Sequence, residues 1–312
     1  MATYLVTGGA GFIGSNLARA LVARGETVRV LDDFSSGREE NLAGLEAQIT
    51  LHRGDVTDAA AVRAATAGCD FVLHQAAIPS VPRSIEAPLA TDRANVLGTL
   101  TVLDAARAAG VRRVVFAASS SAYGETPTLP KVETMPPSPL SPYAVSKLAG
   151  EHYLRAYFLC YGLETVALRY FNVFGPHQDP ASEYAAVIPR FVTAALRGEG
   201  PVIYGDGLHS RDFCFIDNAV EANLLACTAK DAPGQVFNVA CGVRTTLLDV
   251  VAALGRIVGR ELSPRHLPAR AGDIRHSLAD IGRARSVLGY TASVSFEAGL
   301  ARTVDWFAAR AA

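Results

Sequence analysis

Thr7-Gly8-Gly9-Ala10-Gly11-Phe12-Ile13-Gly14 is the stretch that decides the fold. It follows an apolar, strand-like run at 4–7 and opens an amphipathic helical pattern at 12–24. Glycines at such a junction allow a tight turn and let a pyrophosphate approach the backbone, and the helix N-terminus offers free N–H groups and a favourable dipole. The spacing Gly8-x-x-Gly11-x-x-Gly14 departs by one residue from the common dinucleotide pattern, and by itself an ordinary strand-to-helix turn explains it. Its surroundings carry the argument. Asp32 and Asp33 follow the next apolar run, 24 and 25 residues beyond Gly8, near the distance expected of an acid that bonds adenosine ribose hydroxyls. A carboxylate there repels a 2′-phosphate, so the expected cofactor is NAD and not NADP.

Further apolar runs at 27–31, 49–53, 71–74 and 114–117 are separated by Ala-rich, helix-length segments. Short buried strands alternating with helices imply parallel pairing, and right-handed crossovers then give an α/β, doubly wound (Rossmann) sheet. The second half is less regular. Pro176, Pro180 and Pro189 interrupt it, Gly205-Asp206-Gly207 reads as a turn, and helical patterns cover 218–229 and 247–258. Strand-like runs at 165–170 and 236–239 are expected to return to the main sheet. The expected organisation is therefore an NAD-binding domain over 1–170, with a returning strand near 235–240, and a smaller, interleaved C-terminal substrate domain over 171–312. The long helical stretches at 95–109 and 141–160 either cover the sheet or pack across a subunit interface.

Bulk properties narrow the class. Half of the 312 residues are hydrophobic, enough for a large core. Twenty-nine basic residues against 30 acidic ones give no bulk attraction to nucleic acid or an anionic membrane. No apolar run reaches the length of a membrane span, and the first residues lack a signal peptide's charged and apolar regions. Five scattered cysteines without a CxxC pair indicate neither a zinc site nor a disulfide framework. The expectation is a soluble, cytoplasmic protein with no metal.

The reacting groups lie further along. Tyr143 and Lys147 are spaced i, i+4 in Ser141-Pro142-Tyr143-Ala144-Val145-Ser146-Lys147, with Ser141 as a natural N-cap and Pro142 at the first helical position. An ammonium one turn away is expected to favour the phenolate, lowering the tyrosine pKa and making Tyr143 a usable base. A surface helix with an exposed lysine would show the same spacing. Ser119 adds weight: it lies just past the fifth strand, at the carboxyl edge that faces a cofactor crevice, where a hydroxyl can relay a substrate proton. Asp55 closes the third strand where an adenine edge would lie, although Thr57 or Asp58 could equally be helix caps. His74-Gln75-Ala76-Ala77 ends the fourth strand; its alanines suit close approach of a ribose, and a lone histidine there reads as structural.

With TGGAGFIG, the strand-end acid, GDVTD (54–58), SSSAYG (119–124), SPYAVSK (141–147) and RYFNVFGP (169–176) in order, the chain resembles the extended short-chain dehydrogenase/reductase family over essentially its whole length. Within it the chain is most similar to UDP-hexose 4-epimerases, above all the UDP-N-acetylglucosamine type, through HQAAIPSVPRS (74–84), the 169–189 segment, GDGLHSRDF (205–213) and GDIRHSLAD (272–280). The resemblance implies Tyr143 as acid/base, Lys147 as its tuner and ribose anchor, and Ser119 as hydroxyl partner. It implies cofactor contacts at Gly8, Gly11, Phe12, Ile13, Asp32, Asp33, Ser36, Gly37, Asp55, Val56, Gln75, Ala76, Ala77, Asn95 and Tyr170. For the UDP-sugar it implies Ser80, Ser120, Asn172, the backbone at Ala186 and Val187, Tyr204, Arg211, Arg244, Arg270, Asp273 and Ser277. A homodimer built through a helix bundle is the implied assembly.

Two departures bear on the reaction. The 4,6-dehydratase branch carries an Asp-Glu pair directly after its Ser/Thr; Ser120 and Ser121 stand there and cannot eliminate water. Ser277 occupies the position where a large tyrosine confines the site to unacetylated hexoses, so an N-acetyl group is permitted. A uronic acid epimerase or decarboxylase is the alternative, with His177 or Arg83 in place of the arginine that glucuronate-type relatives carry. A non-catalytic NAD-sensing module would have no reason to keep Ser119, Tyr143 and Lys147 together.

Overall fold

A computed structural model describes residues 1–180, 186–269 and 275–311. The chain runs β1 (Thr3–Thr7), α1 (Phe12–Ala23), β2 (Thr27–Asp32), β3 (Ile49–Arg53), α2 (Ala59–Thr66), β4 (Phe71–His74), α3 (Val81–Glu86), α4 (Pro88–Asp92), a π-helical turn (Arg93–Leu97), α5 (Gly98–Ala108), β5 (Arg113–Ser119), α6 (Pro142–Tyr161) and β6 (Glu164–Tyr170). There follow β7 (Val173–Phe174), α7 (Val187–Leu196), β8 (Val202–Tyr204), β9 (Ser210–Arg211), β10 (Cys214–Phe215), α8 (Ile216–Thr228), β11 (Gln235–Val239), β12 (Thr245–Thr246), α9 (Leu247–Val258), β13 (Arg265–Leu267) and α10 (Phe296–Ala311).

The central sheet has seven parallel strands in the order β11-β6-β5-β4-β1-β2-β3. Strand order reverses between β1 and β4, so the carboxyl ends of those strands open a crevice at the switch point. Every residue of β5 and of β4 is buried, as expected of strands covered on both faces. The chain leaves the sheet after β6, builds small two-stranded pieces, and returns through α8 and β11, which pairs with β6 from Gln235↔Val166 to Val239↔Tyr170. Arg113 at the start of β5 fastens that return. Its Nη1 donates to the carbonyls of Ala226 (2.7 Å) and Ala229 (2.8 Å) at the end of α8, while Glu164 pairs with its other nitrogens.

The fifth strand is longer than the run at 114–117, so Ser119 is its last residue and not a loop residue beyond it. The stretch expected as one helix over 95–109 divides into the π-helical turn and α5. In the wider turn Asn95 bonds the Ile78 backbone and Ser146, contacts a uniform helix pattern does not foresee.

Candidate active site

The glycine loop is packed too tightly for side chains. Gly8 has φ +66°, and a Cβ on it would stand 2.7 Å from the backbone nitrogen of Ala76. One on Gly14 would stand 2.1 Å from the Gly8 carbonyl oxygen. Gly11 caps α1 without any side-chain bond, and the first turn holds no acidic residue. The leading N–H groups of α1 are thus free for an anion, and the residues present fit a dinucleotide pyrophosphate.

Asp32 is buried and braces this loop: its carboxylate accepts from the backbone N–H of Ala10 (2.8 Å) and of Phe34 (2.8 Å). Burial pushes its pKa up. Asp33 is exposed and turns its carboxylate on Ser35 N–H and Oγ (2.9 and 2.7 Å), so the two acids do different work. Ser36 is exposed, and a Cβ on Gly37 would crowd Asp32 Oδ1 at 2.8 Å. Beyond the end of β3, Asp55 accepts from Thr57 N–H, Val56 is buried, and Asp58 caps α2.

Below the crevice His74 accepts from Thr7 Oγ1–H at Nδ1 (2.7 Å) and donates from Nε2 to Thr99 Oγ1 (3.0 Å). That polarity follows because the Thr99 hydroxyl spends its own proton on the Asn95 carbonyl. Burial drives the imidazole pKa down to about 3, so His74 is a neutral structural tie. Gln75, Tyr170 and Asn223 close a ring: Asn223 Nδ2 donates to Tyr170 Oη (2.7 Å), Tyr170 to Gln75 Oε1 (3.2 Å), and Gln75 Nε2 to Asn223 Oδ1 (3.3 Å). Ala76 and Ala77 continue from this edge, half-buried.

Ser119 ends β5 beside Tyr170 of β6 and hydrogen-bonds the Tyr143 phenol. Its Oγ also accepts from Ser121 N–H (3.2 Å) and Oγ–H (2.8 Å). Tyr143 sits in the first turn of α6, where Ser141 accepts from Ala144 N–H and the buried Ser84 accepts from Tyr143 N–H (3.0 Å). Ser146 closes the other side by donating to the Tyr143 carbonyl while accepting from Asn95. Lys147, one turn on, is buried and donates from Nζ to the Ala117 carbonyl (2.8 Å).

One electrostatic expectation is corrected. Burial raises the Tyr143 pKa, and the bond to Ser119 opposes that rise; no lowering by Lys147 enters. Lys147 Nζ is aimed at the β5 backbone, and burial pushes its own pKa down to about 7, so near neutral pH only part of the population carries the charge.

Across the crevice a cleft of about 240 Å³ brings together Asn172, Ala186, Val187 and Arg211, with His209 and Phe213 completing its wall. Arg244 is exposed and immediately precedes Thr245, which pairs with Arg211 across β12 and β9. Ser277 N–H donates to the Ser210 carbonyl (3.0 Å), placing it alongside β9. Tyr204 is half-buried in β8, and Ser120 is half-buried in the turn after β5. Ser80 spends its hydroxyl capping α3 by accepting from Arg83 N–H (3.2 Å). Arg270 and Asp273 lie outside the described residues.

A family model described as the NAD dependent epimerase/dehydratase family matches residues 4–240. The chain belongs to this family. Its cofactor is accordingly NAD, whose pyrophosphate the glycine loop fits. Among curated proteins, this family member is 42% identical to a UDP-glucose 4-epimerase of Mycolicibacterium smegmatis over 97% of both chains. Its structure superposes with a TM-score of 0.95 and 39% identity on the UDP-N-acetylglucosamine 4-epimerase of Methanobrevibacter ruminantium M1 in complex with UDP-N-acetylmuramic acid, covering 99% of each. The UDP-glucose 4-epimerase of Thermotoga maritima with UDP-glucose gives 0.94 and 37%, covering 99% of this chain and all of the other.

Four participants escaped the sequence reading of this epimerase/dehydratase. Ser84 and Ser146 hold the Tyr143 backbone, Asn223 holds Tyr170, and His209 lines the cleft. Ser84 and Asn223 reach their partners across 59 and 53 residues of chain, so no local spacing announces them.

Proposed function

We propose that the chain is an NAD-dependent 4-epimerase of UDP-hexoses, interconverting UDP-glucose and UDP-galactose, UDP-N-acetylglucosamine and UDP-N-acetylgalactosamine, or both pairs. The observation that carries this is the Ser119–Tyr143 contact at the carboxyl edge of the sheet, with Ser121 donating into it where elimination would need an acid. Tyr143 takes the 4-hydroxyl proton, directly or through Ser119, as C4 is oxidised to the ketone. Bound NAD supplies the acceptor for the hydride and, on return, its donor. The keto sugar turns about its diphosphate linkage, the hydride is restored to the opposite face, and Tyr143 gives the proton back to the C4 oxygen. No net oxidation results. Arg211 and Asn172 suit the anchoring of the nucleotide end, leaving the sugar free to turn.

The small Ser277 supports acceptance of an N-acetyl group. Nothing favours the uronic acid reading at His177. That ring bonds Asn41 (3.2 Å), packs on Trp306, and has its pKa pushed down to about 4 by burial, so it offers a substrate carboxylate no charge. We assign residues 1–170 and the returning strand near 235–240 to NAD, and mainly residues 171–312 to the nucleotide sugar. A cytoplasmic location fits five free cysteines, three of them buried. No helix among the described residues is long and apolar enough to cross a membrane.

The test is product NMR after incubating the protein with UDP-glucose, UDP-N-acetylglucosamine and UDP-glucuronic acid, without added NAD. The expected products are the 4-epimers of one or both of the first two. Absence of both overturns the reading.

A further inference from the structure

The cleft beside Asn172 contains an imidazole that no step above uses. His209 follows the Gly205-Asp206-Gly207 turn, and its ring lies against the backbone there: a Cβ on Gly205, whose φ is +86°, would stand 3.3 Å from His209 Cε1. The side chain is 13% exposed. Its Nδ1 is shut away from solvent without a hydrogen bond, and the Asp206 Oδ1 stands 3.8 Å from it. Asp206 is itself held, accepting from Leu208 N–H (2.9 Å) and from Arg275 (3.1 Å). The ring also lines the cleft with Asn172, Ala186, Val187 and Arg211. A largely buried imidazole without a bond calls for a ligand that completes it.

We infer that His209 binds the diphosphate of the nucleotide sugar, with Asp206 orienting the ring through Nδ1–H and Nε2–H donating to a phosphate oxygen in the cleft. The inference rests on the UDP-sugar reading. Phosphate is the partner, and not the base, because the Arg211 guanidinium lines the same cleft as the ring and offers an anion a second donor. The apolar wall at Phe213 suits the base instead. A fixed carboxylate behind an imidazole sets its orientation and strengthens it as a donor to an anion.

Calorimetric binding of UDP and of uridine to the NAD-bound protein tests this, with His209→Ala and His209→Gln beside wild type. Loss of a charge-assisted bond predicts roughly tenfold to 100-fold weaker UDP binding in His209→Ala. His209→Gln, which keeps an N–H donor, should lose less, and uridine binding should change little in either. Equal losses on UDP and uridine move the contact to the nucleoside and overturn the inference. Unchanged UDP affinity in both variants overturns it too. If His209→Ala does not fold, His209→Gln carries the same comparison. Wild-type turnover is read separately: no 4-epimer from wild type sinks the epimerase reading whatever His209 does. Normal turnover with unaltered UDP binding in the variants sinks only the His209 assignment.

Discussion

Tyr143 works under opposing demands. As the proposed base its ring must reach a buried reaction centre, and burial holds the phenol in its neutral form; Ser119 is the hydrogen-bonding neighbour that eases deprotonation. Removing the hydroxyl should therefore abolish proton transfer while leaving the glycine loop intact. Tyr143→Phe is expected to lower kcat by roughly 10²–10⁴-fold and to keep its bound NAD, measured as nucleotide released on denaturation. A variant with near wild-type turnover would remove the assigned base. At this scale spacing made Tyr143, Lys147 and Ser119 legible, because helix and strand periodicities fix where side chains point. The direction of the Tyr143 shift was not legible. An i, i+4 spacing brings a lysine near, but only the packed interior determines that Nζ meets the Ala117 carbonyl and that burial pulls its pKa down.

Between elements, the ties are made by buried polar side chains whose partners are distant in sequence. Asn95 joins the loop after β4 to α6, and His74 joins β4 to β1 and α5. The second tie has a pH consequence. Unfolded, an imidazole takes its proton near pH 6.5; folded, His74 resists until about pH 3. Between those values the unfolded chain binds more protons, so the stability from this group is complete above about pH 6.5 and drains away as pH falls. The loss by pH 4.5 should be on the order of 3 kcal/mol. Thermal unfolding of wild type and His74→Gln at pH 7 and 4.5 checks it. The variant should be less stable at pH 7 yet lose less on acidification, and an equal loss in both would rule His74 out as the sensor.

For the whole molecule, the α3–α4–α6 layer leaves apolar side chains in water: Leu89 is 85% exposed, Leu159 66% and Ile85 64%. Such a face suits a second copy of the chain. Sedimentation should find a dimer, and Leu89→Asp combined with Leu159→Asp should give monomers; a wild-type monomer at micromolar concentration counts against the assembly. The doubly wound sheet could be read from sequence because each strand and crossover leaves its own local pattern of burial and glycine. The two-stranded pieces after β6 are too short to leave one. The sequence by itself determined the sheet, the glycine loop and the candidates for the reacting groups, all encoded in spacings of a few residues. Only the tertiary structure decided the directions in which burial moves the Tyr143 and Lys147 pKa values, the buried ties at Ser84, Asn95 and Asn223, and the place of His209 beside Asn172. Those depend on desolvation and on contacts between residues far apart in the chain, which folding alone brings together.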